Sequence, residues 1–124
     1  MAFGRVNSGV IVYRINARKL EILLVHQSGK RKSLWSIPKG GVDQLEEHER
    51  AARREVLEET NVKLEQLDFL GYADYGKGSK RLYCYMGQCP SGAEIKCKQP
   101  EIDFAGFYEI AQAKKMVEKQ QRVL

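Results

Sequence analysis

Three glutamates spaced to share one side of a helix constrain this chain more than any other feature. Glu55, Glu58 and Glu59 lie at i, i+3 and i+4, positions that face the same way in an α-helix. The helical reading comes from the residues around them. Between Leu45 and Thr60, the apolar Leu45, Ala52 and Val56 fall within a narrow arc at about 100° per residue and form a stripe beside the carboxylates. Asn61 follows the last turn, and Asn is second only to Gly at the left-handed position that ends a helix. Upstream, Pro38-Lys39-Gly40-Gly41 punctuates the chain sharply. Three like charges so close together repel, and nothing in folding requires the placement. A divalent cation removes the penalty, because hard ions take carboxylate, phosphate and water oxygens. The alternative is a solvated helix laced by Glu46 with Arg50, Glu49 with Arg53 and Arg54 with Glu58, each pair contributing only about 0.3–0.5 kcal/mol.

The rest of the chain supplies strands for this helix to pack on. Val6 to Tyr13 and Leu20 to Val25 are apolar and β-branched, separated by the polar turn Arg14 to Lys19. Leu67 to Tyr72 and Lys80 to Met86 read as two further strands around a glycine-rich turn, with Ile102 to Tyr108 as another and Ile110 to Gln121 as a closing amphipathic helix. Strands, helix, strands, helix predict an α/β or α+β layer arrangement. With 124 residues, 43% hydrophobic and 30% charged, the composition suits one domain spanning 1–124 and excludes a disordered tail or a disulfide-rich toxin. Apolar runs such as Ile22 to Val25 fall far short of the roughly 20 residues a membrane span needs, and no signal peptide is visible. Cys84, Cys89 and Cys97 make an odd number at spacings unlike a zinc site, which predicts free thiols and a cytoplasmic location. A net charge of +5 favours polyanions such as nucleotides, polyphosphates or RNA.

Gly40, Glu46, Arg54, Glu55, Val56, Glu58, Glu59 and Val62 match, at every spacing, the box G-x5-E-x7-R-E-U-x-E-E-x-G-U with U apolar. One position departs: Asn61 stands where the box has its second Gly. On these residues the chain resembles the Nudix (MutT-like) hydrolase family. The resemblance implies an α/β/α sandwich around a central mixed sheet flanked by helices. It implies hydrolysis of a pyrophosphate bond in a nucleoside diphosphate-linked substrate, with Mg²⁺ or Mn²⁺ as cofactor. Carried onto this chain, Glu55, Glu58 and Glu59 would bind metal with the main-chain carbonyl of Gly40. Arg54 would orient the glutamates and Glu46 would support the loop before the helix. Glu58 is a candidate general base as well as a ligand. Glu101, just before a predicted strand, resembles an additional metal-binding or basic glutamate of several relatives.

Outside the box, Trp35 to Gly41 is similar to the W-x-x-P-K/Q-G segment of dinucleoside polyphosphate hydrolases and RNA 5′-pyrophosphohydrolases. Lys39 is a candidate phosphate contact or a plain surface lysine. The basic runs Lys30 to Lys32 and Lys77, Lys80 and Arg81 are candidates for holding a phosphate chain, or are solvated loops. Tyr83 and Tyr85 share a strand face; they stack on a base if that face lines the cleft and are core if it points inward. Lys39, Arg81 and Tyr83 are the expected substrate contacts. The expected substrates are dinucleoside polyphosphates of the diadenosine tetraphosphate type or 5′-triphosphorylated RNA. The alternatives are an NTP or modified-nucleotide pyrophosphatase, and a non-catalytic nucleotide or RNA sensor. The expected partners are a nucleotide or an RNA 5′ end, without DNA or membrane, to a monomer or homodimer.

Overall fold

The structure, a computed structural model, describes residues 5–27, 34–100 and 102–121. Its elements run β1 (Arg5–Asn16), β2 (Lys19–Gln27), β3 (Leu34–Ser36), β4 (Lys39–Gly41), α1 (His48–Thr60), β5 (Asp68–Tyr75), β6 (Lys80–Gln88), β7 (Ile102–Glu109) and α2 (Ile110–Gln121). Among the described residues seven strands make one sheet, ordered β3-β2-β1-β6-β5, with β4 on β1 and β7 on β2. The sheet is mixed: β1 and β6 run parallel, and the other pairs are antiparallel.

Alternation along β1 divides the two faces. Val10 and Val12, with Leu23 and Tyr85, pack under Ala52 and Val56 of α1 and Val62 and Leu64 just after it. Ile11 and Tyr13 point the other way and join Ile22, Leu24, Trp35 and Tyr108 beneath Ala113, Met116 and Val117 of α2. The helices therefore cover opposite faces of the sheet, giving the expected α/β/α sandwich. Val10, Val12, Leu23 and Val56 are sealed from solvent, each burial contributing about 1.5–3 kcal/mol. Helix α2 packs on β2, β3 and β7, whereas α1 packs on β1, β4 and β6. On that face β5, β6 and the Asn7 end of β1 lie beyond the cluster under α2, an open face on which Lys39, Tyr75 and Lys80 are half-buried and Asn7 is buried.

Three local details differ from the sequence reading. The three-residue strands β3 and β4 add to the five expected, and β4 pairs with β1 within the run Pro38 to Gly41 that reads as a break in the chain. The β1–β2 hairpin narrows to Ala17 and Arg18, both with positive φ (51° and 68°), the two-residue turn whose twist matches its strands. Arg14 therefore lies within the ladder and binds Glu21 across it at 2.7 Å. Helix α1 begins at His48, and Leu45 is not part of its apolar stripe: it sits at φ 66° and is 99% exposed. The Glu46 N–H donates to the Asp43 carbonyl, and the Asp43 N–H to Glu46 Oε1. This reciprocal turn aims the Glu46 carboxylate at Arg54 and throws Leu45 outward. No helix among the described residues is long and apolar enough to cross a membrane.

Candidate active site

The site is built where β4 meets α1. The Ser8 hydroxyl donates to the His48 carbonyl at 2.6 Å, fixing the first turn of the helix on β1. Gly40 pairs with the same Ser8, and the next turns of α1 bring Glu55 against it. A Cβ at Gly40 would lie 2.1 Å from the Glu55 carboxyl carbon, so only glycine leaves room for this approach.

Arg54 organises the glutamates. Its Nε and Nη2 donate to the two Glu46 oxygens at 2.9 and 3.0 Å, its Nη1 to Glu55 at 2.9 Å and Glu58 at 3.3 Å, and Nη2 also to the Gly41 carbonyl at 2.9 Å. A planar guanidinium alone among side chains can span these partners at once. The hydrogen bonds from Arg54, and one from the Asp43 main chain, hold the Glu46 carboxyl down at about 2. Arg54 is pushed above its ordinary range, first by Glu46 and then by Glu55. Burial raises the Glu55 carboxyl, although Arg54 pulls it the other way. Glu55 and Glu59 are buried, at 8% and 5% exposure, whereas the Glu58 side chain is 42% exposed. Of the expected helix pairs, Glu49–Arg53 and Arg54–Glu58 form, while Glu46 takes Arg54 rather than Arg50 as its hydrogen-bond partner.

Asn61 adopts φ 69° and its N–H closes the helix on the Leu57 carbonyl, so the left-handed stop survives the departure from the box. Gln99 was not singled out by sequence; its Nε2 donates to Glu58 Oε1 at 3.2 Å. No spacing signal could have found it, since 41 residues separate the partners.

The expected substrate contacts divide between the two faces. Asn7 alternates with Ser8 and so points away from α1; its amide donates to the Tyr75 hydroxyl. The Lys39 and Lys80 ammonium groups lie 6.0 and 5.8 Å from the centre of the Tyr75 ring. Lys39 is thus gathered with Tyr75 and Lys80 at the open face. Arg81 and Tyr83 lie on the α1 face instead. Arg81 pairs with Asp74 at 2.8 Å and covers the Tyr72 ring at 3.8 Å. Tyr83 packs against the core and stacks on His48, with ring centres 3.9 Å apart, and Tyr85 beside it is buried. Glu101 and the run Lys30 to Lys32 lie outside the described residues.

Residues 5–124 match the NUDIX domain family. The chain belongs to that family. Its Nudix helix is α1, and the preceding Gly40 and Glu46 occupy the box positions before it. Over 60 residues, 48% of this chain, it is 43% identical to an asymmetrical bis(5′-nucleosyl)-tetraphosphatase of Caenorhabditis elegans, covering 43% of that protein. A matching stretch is 40% identical to an RxLR effector protein of Phytophthora infestans (strain T30-4), covering 22% of it. The matches therefore span less than half the length of either relative. Among solved structures, the binary complex of a C. elegans Ap4A hydrolase superposes with a TM-score of 0.80 at 27% identity, covering 92% of this chain and 86% of that one. The NUDIX domain of Shewanella oneidensis NrtR, complexed with ADP ribose, shares the fold at a TM-score of 0.79 and 18% identity, covering 100% and 90%.

Proposed function

We propose that this Nudix chain hydrolyses a phosphoric anhydride bond in nucleoside diphosphate-linked substrates, with dinucleoside polyphosphates or 5′-triphosphorylated RNA as the favoured class. The observation that carries the reading is the junction of Gly40 with Glu55 and Glu58 under the Arg54 fork. The substrate class is supported by the likeness to the C. elegans Ap4A hydrolase and by the two lysines flanking Tyr75 at the open face.

The donor set suits a hard divalent cation: carboxylates, one of them resisting ionisation through burial, beside a glycine whose missing Cβ keeps a main-chain oxygen approachable. Among the described residues, no three acidic, histidine or cysteine side chains already converge tightly enough to hold an ion; Glu55 and Glu58 turn instead to Arg54. Glu55, Glu58, Glu59 and the Gly40 carbonyl would hold Mg²⁺ or Mn²⁺, which when bound neutralises phosphate oxygens and acidifies water. Glu58, the most exposed of the three glutamates, would take the proton from a water attacking phosphorus. Lys39 and Lys80 neutralise the phosphate chain, and Tyr75 offers a ring face to the base. One water is consumed, one P–O bond forms and one breaks, and the anhydride parts into two phosphates: two nucleotides from a dinucleoside polyphosphate, or phosphate or pyrophosphate and a shortened 5′ end from the RNA.

Chromatographic product analysis with Mg²⁺ tests this over diadenosine tetraphosphate, 5′-triphosphorylated RNA, the NTPs and ADP-ribose. ATP plus AMP from the first, or phosphate or pyrophosphate from the RNA, is the expected result. Glu58→Gln keeps the shape and removes the charge, and turnover is expected to fall at least about 100-fold. Silence across the panel with ligand binding intact would leave a sensor in place of an enzyme.

A further inference from the structure

The segment between β6 and β7 crosses the C-terminal end of α1, and three hydrogen bonds fasten it there. The Lys96 N–H donates to the Thr60 carbonyl at 3.0 Å, the Asn61 side-chain amide to the Glu94 carbonyl at 3.0 Å, and the Gln99 amide to Glu58 at 3.2 Å. Ile95 packs against the core between these points. The Gln99 carbonyl in turn accepts from the N–H of Ile102, the buried first residue of β7. Gln99 is therefore fixed from both sides while its amide reaches a glutamate of the Nudix helix.

Asn61, the one departure from the box, supplies one of these bonds. At φ 69° a glycine would end the helix with less strain, so backbone conformation gives no reason for an asparagine. Its side chain does, because glycine has no amide to donate to Glu94.

We propose that Asn61 and Gln99 act together as a strap: Asn61 anchors the β6–β7 segment on the helix end, so that Gln99 can orient Glu58 for metal binding and hydrolysis. Both are positioning residues, and the proposal rests on the hydrolase reading above. A neutral amide suits the task. It donates to Glu58 Oε1, the oxygen nearer Arg54, without adding charge, and leaves Oε2, which Arg54 reaches only at 3.5 Å, with lone pairs for an ion. Outer partners of this kind fix ligand orientation and tune metal affinity.

The test uses the full chain, Mn²⁺ as probe, and two readouts that need no turnover: Mn²⁺ affinity by electron paramagnetic resonance, and amide hydrogen exchange across 94–100. Asn61→Gly preserves the left-handed stop and removes the anchor; Asn61→Asp keeps a residue that tolerates this φ but has no donor when ionised. Both are expected to speed exchange at Lys96 and to weaken Mn²⁺ binding on the order of tenfold. Gln99→Ala is expected to weaken Mn²⁺ binding as much, and Asn61→Gly should then add nothing in the Gln99→Ala background. With substrate present, the same variants should lower kcat more than they raise KM.

Unchanged exchange and Mn²⁺ affinity in both Asn61 variants would overturn the strap. So would an Asn61→Gly effect that persists undiminished once Gln99 is alanine, because the two would then act separately. A wild-type chain that binds Mn²⁺ in a strap-dependent way yet turns over nothing overturns the hydrolase reading and leaves the strap standing. A wild-type chain that binds no Mn²⁺ overturns the metal site, and with it the strap's role.

Discussion

Glu46 is the residue whose role depends most on its partner. Its carboxyl is held down at about 2, from an ordinary 4.5, chiefly by hydrogen bonds from Arg54. A carboxyl with a depressed folded pKa contributes stability above its unfolded value and loses that contribution as the pH falls through the folded one. Glu46→Gln should therefore lower stability at pH 7, with the gap to wild type shrinking below about pH 4.5 and closing near 2. Urea denaturation at several pH values checks this, and a gap independent of pH would contradict the assignment. The Glu46 and Arg54 pattern was plain in the sequence, but the pairing was not. Helix spacing suggested Arg50, and only the Asp43–Glu46 turn shows why the carboxylate swings to Arg54.

At the scale of the element, helix α1 separates what periodicity can show from what it cannot. Its interior matches the reading: Ala52 and Val56 are fully buried, and Glu55 and Glu59 lie at the buried border. Its start does not, because Leu45 continues the 3.6-residue pattern by coincidence and lies in a turn, 99% exposed. Leu45→Ala is accordingly expected to change stability by no more than about 0.5 kcal/mol. Val56→Ala, which empties part of the core, should cost about 1–3 kcal/mol. Denaturation midpoints of the two variants measure the difference. Equal losses would mean that Leu45 packs after all. A helix start depends on which hydrogen bonds the preceding loop can make, and hydrophobic spacing carries no record of them.

For the whole molecule, the uneven cover of α2 bears on where the proposed substrate would lie. It packs on β2, β3 and β7 and over Ile11 and Tyr13 of β1, and leaves Asn7, Tyr75, Lys39 and Lys80 together beyond it. If phosphates lie there, Lys39→Ala and Lys80→Ala should each raise KM for a polyphosphate substrate several-fold with kcat less affected. The wild type should lose affinity as salt rises, since exposed charges are screened beyond a Debye length of about 10 Å at 0.1 M. Initial-rate kinetics over a salt series test both, and a kcat loss without a KM change would move the lysines out of substrate binding. Arg81 and Tyr83, gathered with Asp74 and His48 on the α1 face, provide the contrast: their alanine variants should affect stability more than KM if substrate occupies the open face.

The sequence alone determined the parts whose meaning is local. The eight matching positions from Gly40 to Val62 carry the resemblance to the Nudix box without coordinates, and helix geometry explains why its glutamates share a side. The same holds for the five longer strands, whose alternation is local, and for the left-handed stop at Asn61; β3 and β4, of three residues each, are too short to show a period. Tertiary structure decided everything that joins distant segments. Which sheet face a tyrosine points to depends on strand order, so Tyr75 and Tyr83 could be assigned to opposite faces only once β1, β5 and β6 were aligned. Gln99 meets Glu58, and Asn61 meets Glu94, across loops of no regular period. Hydrogen bonds closed over such separations depend on the path of the whole chain, and no spacing rule encodes that path.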